Sequence, residues 1–206
     1  MPEGKQRRAG LNERAALIPG EIRPLFSDTF VCSCELLEEY VARLAAGLFR
    51  STGLESACTE PATIDEAIAR AGLVPEVARV PATWLLAVLA GRGWIERTDS
   101  AGGPARYRAP RTFVVPDADK VLAEQNEIDA RCLPSYGIVA LAAEHYPAVL
   151  RGEITGEQAL FDAEGISAWL KYFSNGNPVY AVTNAIGAVA AERAPGARLE
   201  VADDLS

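Results

Sequence analysis

The stretch TIDEAIARAGLVPEVARVPATWLLAVLAGRGWIERTDSAGGPARYRAP, from Thr63 to Pro110, carries its own start and stop signals and leaves few ways to fold. Thr63 followed three residues later by Glu66 is a capping-box pattern, in which hydroxyl and carboxylate satisfy the N–H groups exposed at a helix start. Gly72 stops that helix and Pro75 opens the next, where a missing N–H does no harm. Val77, Val80, Trp84, Leu85, Val88 and Leu89 read as the apolar face of this second helix. Pro81 either kinks it or marks its true first turn. Past the glycines around Arg92, two strand-like runs, 94–97 and 105–108, flank a Gly-Gly-Pro turn.

Upstream, CELLEEYVARLAAGLFRSTG puts Leu37, Val41, Leu44, Ala45 and Leu48 on one helical face, with Gly53 just beyond it. Helix, helix, helix and then a β-hairpin is the order of a winged helix, spanning residues 34–112 behind an N-terminal arm of residues 1–33. Residues 113–206 return to helix in DADKVLAEQNEIDARC, SYGIVALAAEHYPAVLRG, GEQALFD, ISAWLKYF and PVYAVTNAIGAVAAERA. Trp169, Tyr172 and Phe173 are expected to pack one helix on its neighbours, and Val179, Val182, Ile186 and Val189 to share a face of the last helix. Residues 198–201 read as a short terminal strand. The expected fold is therefore mainly α, a winged helix followed by a helical connector or lid.

With 206 residues, 49% hydrophobic and 23% charged, the chain can bury a core. No apolar run approaches the 18 uncharged residues of a membrane span, and the basic N-terminus lacks the apolar centre of a signal peptide. Cys32, Cys34, Cys58 and Cys132 are spaced unlike a zinc knuckle, and the chain has a single histidine. Free thiols in a cytoplasmic protein are the expectation, with no metal site. The net charge of −8 is carried from residue 113 on, where acidic residues outnumber basic ones 14 to 6. Such a surface repels nucleic acid and a membrane partner is not expected.

TIDEAIARAGLVPEVARVPATWLLAVLAGRGWIER with ARYRAP, followed by GISAWLKYFSNGNPVYAVTNAIGAVAAERAPGARLEV, resembles the N-terminal part of S-adenosylmethionine-dependent O-methyltransferases. The resemblance covers roughly residues 35–201 and is strongest with bacterial natural-product members, including methyltransferase domains of polyketide assembly. It implies a dimerising, substrate-covering module placed ahead of a Rossmann-like catalytic domain. In that family the LEV strand runs into a glycine-rich loop against the cofactor, where a side chain would collide. Here Ala202-Asp203-Asp204 stands in that place. The expectation is a chain without methyl transfer of its own and without a cofactor site, S-adenosylmethionine entering only if a catalytic domain is supplied. Two origins stay open, a region of a longer enzyme or a stand-alone protein that has lost its catalytic half. Expected partners are a second copy, a catalytic methyltransferase domain, or a biosynthetic carrier protein.

No catalytic residue is assigned. Tyr172, Asn175, Asn177, Tyr180 and Asn184 gather amides and phenols at a loop–helix junction and are candidate ligand-lining residues. The competing reading is a plain Asn-Gly-Asn-Pro turn with Asn177 as helix cap. His145, the single histidine, is also a candidate ligand-lining residue and the only imidazole a general base could use, but no recognisable nucleophile stands beside it. Glu38 with Glu39, and Glu124 with Glu127, fit solvated helix faces. The alternative function is a DNA-binding regulator using Arg79, Arg106, Arg108 and Arg111.

Overall fold

A computed structural model describes residues 20, 22–99 and 102–193. The described residues are mainly helical, with a single two-stranded sheet. Helix α1 (Asp28–Ser51) begins where the Ser27 hydroxyl accepts the N–H of Phe30 at 3.2 Å. It starts ahead of the Cys34 expected from the apolar pattern, so the boundary drawn between 33 and 34 falls inside a helix. Its end is held by the Thr52 hydroxyl, which donates to the Leu48 carbonyl at 2.7 Å. Gly53 follows with φ 83°, a left-handed turn that glycine takes without strain.

Helices α2 (Leu54–Ala57), α3 (Ile64–Arg70) and α4 (Pro75–Gly91) come next. The capping box is present at α3: Thr63 accepts from the N–H of Glu66 at 3.2 Å, and Glu66 accepts from the N–H of Thr63 at 2.9 Å. Pro75 opens α4, and the helix continues through Pro81.

The buried face of α4 differs from the one expected. Ala78, Ala82, Leu85, Leu86 and Leu89 face the core, whereas Val77, Val80 and Trp84 are 42%, 80% and 45% exposed. The helix is apolar almost all round, so periodicity could not choose its inner side, and the alanines permit the closer approach.

Strands β1 (Glu96–Thr98) and β2 (Arg106–Arg108) pair antiparallel, Arg97 opposite Tyr107. Tyr107 also exchanges both backbone hydrogen bonds with Ala62, at 2.8 and 3.0 Å, tying the hairpin to the segment before α3. Phe49, Leu54, Ile68, Leu85, Leu86, Leu89 and Tyr107 fill the core between these elements.

The second half is built on α6 (Leu133–Leu150), which packs against α1, α4, α5 (Asp119–Asp129), α7 (Gly156–Leu160) and α8 (Ala163–Tyr172). Tyr146 of α6 donates to the Pro81 carbonyl at 3.0 Å, and the Val74 N–H donates to the Leu150 carbonyl at 3.0 Å, so the two halves share hydrogen bonds as well as core. Helix α9 (Pro178–Arg193) closes the described chain. It has no fully buried residue, and Val179, Val182, Ile186 and Val189 are each half-buried, along one face as expected. The terminal strand expected at 198–201 and the Ala202-Asp203-Asp204 ending lie outside the described residues.

Candidate ligand groove and its surroundings

Two depressions meet on the outer side of α6. One, of about 560 Å³, lies between α5 and α6 and includes Tyr40, Leu122 and Asn126; the other, of about 540 Å³, lies towards α8 and includes Glu164, Ser167 and Lys171. Both reach Leu133 and Gly137. Gly137 sits mid-helix and exposed, with nothing within 4 Å of where a Cβ would stand. A mid-helix glycine is about 1 kcal/mol less favourable than alanine. Its absence of side chain leaves the floor between the two depressions open. The resulting groove has an apolar floor and a rim of one or two charged or amide groups at each end, suited to an elongated, largely apolar ligand with a polar head.

The groove is backed by buried polar bonds. Gln125 of α5 is fully buried; its Nε2 donates to the Ser33 hydroxyl at 3.0 Å and to the Asp129 carbonyl at 2.9 Å. The Tyr136 hydroxyl donates to Gln125 Oε1 at 3.0 Å. Burial, and the cysteines 32, 34 and 132 nearby, push the Tyr136 phenol well above its ordinary range, so it stays a donor. With Gln125 satisfied on both amide atoms, α1, α5 and α6 are locked in register.

Asn177 is also fully buried. Its Nδ2 donates to Ser135 Oγ at 2.9 Å and to the Tyr172 carbonyl at 3.0 Å, and the Ser135 hydroxyl answers Oδ1 at 3.2 Å. Its own carbonyl accepts the N–H of Ala181 at 2.9 Å, which puts Asn177 at the cap position before Pro178. The amide is thus used in fastening the α8–α9 turn to α6. Tyr172 and Tyr180 do come together, ring centres 5.7 Å apart, within an aromatic cluster that adds Phe161, Trp169 and Phe173. The packing role expected of Trp169, Tyr172 and Phe173 is seen here. Asn175 and Asn184 are exposed, on the turn and on α9. His145 is half-buried on α6, ten residues and so about 15 Å along the helix from Ser135. The six candidates therefore do not converge on one pocket.

The arginines of the DNA-binding alternative are mostly engaged. Arg106 bonds both carboxylate oxygens of Glu66, at 3.1 and 3.2 Å, and the Pro61 carbonyl at 3.1 Å. Arg79 pairs with Asp65 at 2.8 Å and Arg108 with Glu96 at 3.4 Å. Arg111 is exposed beside a cavity of about 460 Å³ that also holds Arg108, Glu55 and Glu60, a mixed lining rather than a cationic one.

Sequence reasoning missed Gln125, which sits in the polar run AEQNEID that reads as solvated. It also placed Glu39 on a solvated face. Glu39 is half-buried and accepts from both Arg43, at 2.7 Å, and Arg92. Burial pushes its carboxyl up, but the hydrogen bonds and charges of the two arginines outweigh that and hold it below the ordinary range. Among the described residues no three potential metal ligands cluster, and no single helix is long and apolar enough to cross a membrane. Cys58 and Cys132 are buried free thiols, while Cys32 and Cys34 are half-buried.

No protein-family model and no curated protein matches the chain. Solved structures do. The CurJ carbon methyltransferase aligns over 93% of this chain at 20% identity and a TM-score of 0.57. The DszA carbon methyltransferase aligns over 82% at 21% identity and a TM-score of 0.62. The CMeT domain of the citrinin polyketide synthase aligns over 72% at 16% identity and a TM-score of 0.53. The chain spans 48%, 42% and 37% of those three chains, less than half of each. At these identities the likeness establishes architecture: the chain has the fold of one part of carbon methyltransferases.

Proposed function

We propose that the chain is the helical, substrate-covering part of a carbon-methyltransferase-type protein and does not transfer methyl groups by itself. Helices α1–α4 with the hairpin act as its winged-helix region, and α5–α9 as a connector that closes over a substrate. The observation that carries this reading is the unequal coverage. The alignments cover 93% and 82% of the chain in the CurJ and DszA carbon methyltransferases, yet more than half of each of those proteins has no counterpart here. Neither described strand leads into a glycine-rich turn opening a helix, the backbone cradle that a nucleotide-like cofactor needs. We therefore assign S-adenosylmethionine no site among the described residues. The partners this reading expects are a catalytic domain and a carrier that delivers the acceptor.

The groove over Gly137 is the surface offered to the acceptor. A small acyl thioester titrated into the isotope-labelled chain should shift amide resonances around Leu133, Gly137 and Ser167. The same mixture with radiolabelled S-adenosylmethionine should show no methyl transfer. Transfer above the protein-free rate would overturn the non-catalytic reading, and shifts confined to other surfaces would remove the groove from it. DNA regulation finds little support by comparison. The exposed side of α4 presents Val77, Val80 and Trp84 where a reading helix needs donors for base edges.

A further inference from the structure

Resting on the reading of the α6 groove as the acceptor's surface, we infer that the groove also selects its acceptor by length. It takes an unbranched acyl chain of about a dozen atoms, and Ala140 is the residue that lets the far end pass. A third depression, of about 400 Å³, continues the two that meet at Leu133 and Gly137. It shares Asp119 and Ala140 with the depression between α5 and α6. Leu44 and Gly47 of α1 and Val115 and Pro116, ahead of α5, line its other side. Leu133, Gly137, Ala140 and Glu144 follow one another at steps of four, three and four, so the three depressions run along a single face of α6. At about 1.5 Å per residue that row spans about 16 Å. An extended chain advances about 1.2 Å per bond, so about a dozen atoms reach from end to end.

The lining fits an apolar chain with its carbonyl at one end. In the middle depression Tyr136 turns its hydroxyl away, to Gln125 at 3.0 Å, and its ring lies 4.9 Å from that of Tyr40. Leu122 and Ala123 line the α5 side, with Asp119 and Asn126 exposed at the edge. Small residues stand along the path: Gly137, Ala140 and Ala143 on α6, and Gly47 on α1, where a Cβ would lie 4.0 Å from Val115 Cγ1. The two ends differ in charge. Towards α8, Lys171 has no ion pair among the described residues, and Ser167 adds a hydroxyl. At the far end Arg43 is engaged by Glu39 and by the Asp117 carbonyl, each at 2.7 Å, which leaves the carboxylates of Asp119 and Glu144. A thioester carbonyl only accepts, so Lys171 and Ser167 hold it and the tail runs towards Val115 and Pro116. Ala140 borders both the middle and the far depression. A larger side chain there closes the passage and leaves the stretch from Leu133 to Ala140, about 10 Å of helix, or about eight chain atoms.

A series of straight-chain acyl thioesters of one small thiol, from about four to about fourteen carbons, titrated into the isotope-labelled chain tests this. Affinity should rise about two- to four-fold per added methylene and level off near about a dozen chain atoms. Amide shifts should begin around Leu133, Gly137 and Ser167 with the shortest member and extend to Ala140, Ala143 and Gly47 with the longest. Ala140→Leu should bind the short members as the wild type does and gain nothing beyond about eight atoms. The member of about twelve carbons should therefore bind the variant about 15-fold or more weakly than the wild type. Far-UV circular dichroism should be unchanged, because leucine is nearly as good a helix former as alanine. Long-chain shifts that stop at Gly137, an affinity indifferent to length, or a variant that follows the wild type at every length would each overturn the selection by length and leave the groove reading standing. No shift around Leu133 and Gly137 with any member would remove the groove and the selection together.

Discussion

Gly165→Ala should destabilise the protein, against the usual sign for glycine in a helix. Replacing a helical glycine by alanine ordinarily gains about 0.8–1 kcal/mol. Gly165 is buried in the first turn of α8, where Asp162 Oδ1 accepts its N–H at 2.7 Å. A Cβ there would stand 2.5 Å from the Leu160 carbonyl carbon and 3.2 Å from the Leu160 Cα, and would overlap the carbonyl oxygen. These are backbone atoms, so no side-chain rotation relieves the collision. That same carbonyl accepts the indole N–H of Trp169 at 3.1 Å. Shifting Leu160 away therefore disturbs the α8 cap, worth about 1 kcal/mol, and the indole bond, worth about 1 kcal/mol. Residual overpacking adds about 1–3 kcal/mol. Set against the helix gain, the net loss is roughly 2–4 kcal/mol, a fall of about 1–2 M in the urea midpoint. Circular dichroism and tryptophan fluorescence should report it together. Gly137→Ala is the matched control: exposed, mid-helix and uncontacted, it should gain about 0.8–1 kcal/mol. A Gly165→Ala protein as stable as wild type would refute the close approach of α7 and α8.

Three further outcomes follow from the buried groups. Tyr136→Phe strips Gln125 Oε1 of its donor and should lower stability by about 1–2 kcal/mol in urea. Glu39 is held below its ordinary range by Arg43 and Arg92, so its contribution is present above the unfolded value near pH 4.3 and is lost as pH falls through the lower folded value. Glu39→Gln should thus be less stable than wild type at neutral pH by about 1 kcal/mol, with the gap closing under acid denaturation as the pH falls through the lowered folded value. A gap that persists in acid would mean that the loss is not electrostatic. Burial raises the Cys58 thiol to about 11, with Arg70 opposing. A thiol reagent near pH 8 should label Cys32 and Cys34 in the native protein and reach Cys58 and Cys132 only in urea; rapid native labelling at Cys58 would contradict its burial.

What the sequence made legible was local. The Thr63–Glu66 box, Pro75, Gly53 and the pair of short strands act within a few residues, and each is in place. The start of α1 was missed because Ser27 caps without a Glu or Gln three residues on. The inner face of α4 was misread because valine and tryptophan outrank alanine in hydrophobicity, although the tight crossing calls for small residues. The site suffered more, since its determinants are distant in sequence. Asn177 is defined by Ser135, 42 residues away, and Gln125 by Ser33, 92 residues away. No local pattern marks such pairs, and a buried amide in a polar run looks the same as a solvated one.

The central claim is that these residues form the covering part of a methyltransferase fold and not the cofactor-binding part. Calorimetric titration of the folded chain with S-adenosylmethionine and S-adenosylhomocysteine addresses it directly. The account predicts no binding heat for either compound, with the groove still responding to the acceptor thioester. Saturable one-to-one binding of S-adenosylhomocysteine at micromolar concentration would contradict it and place a cofactor site within the chain itself.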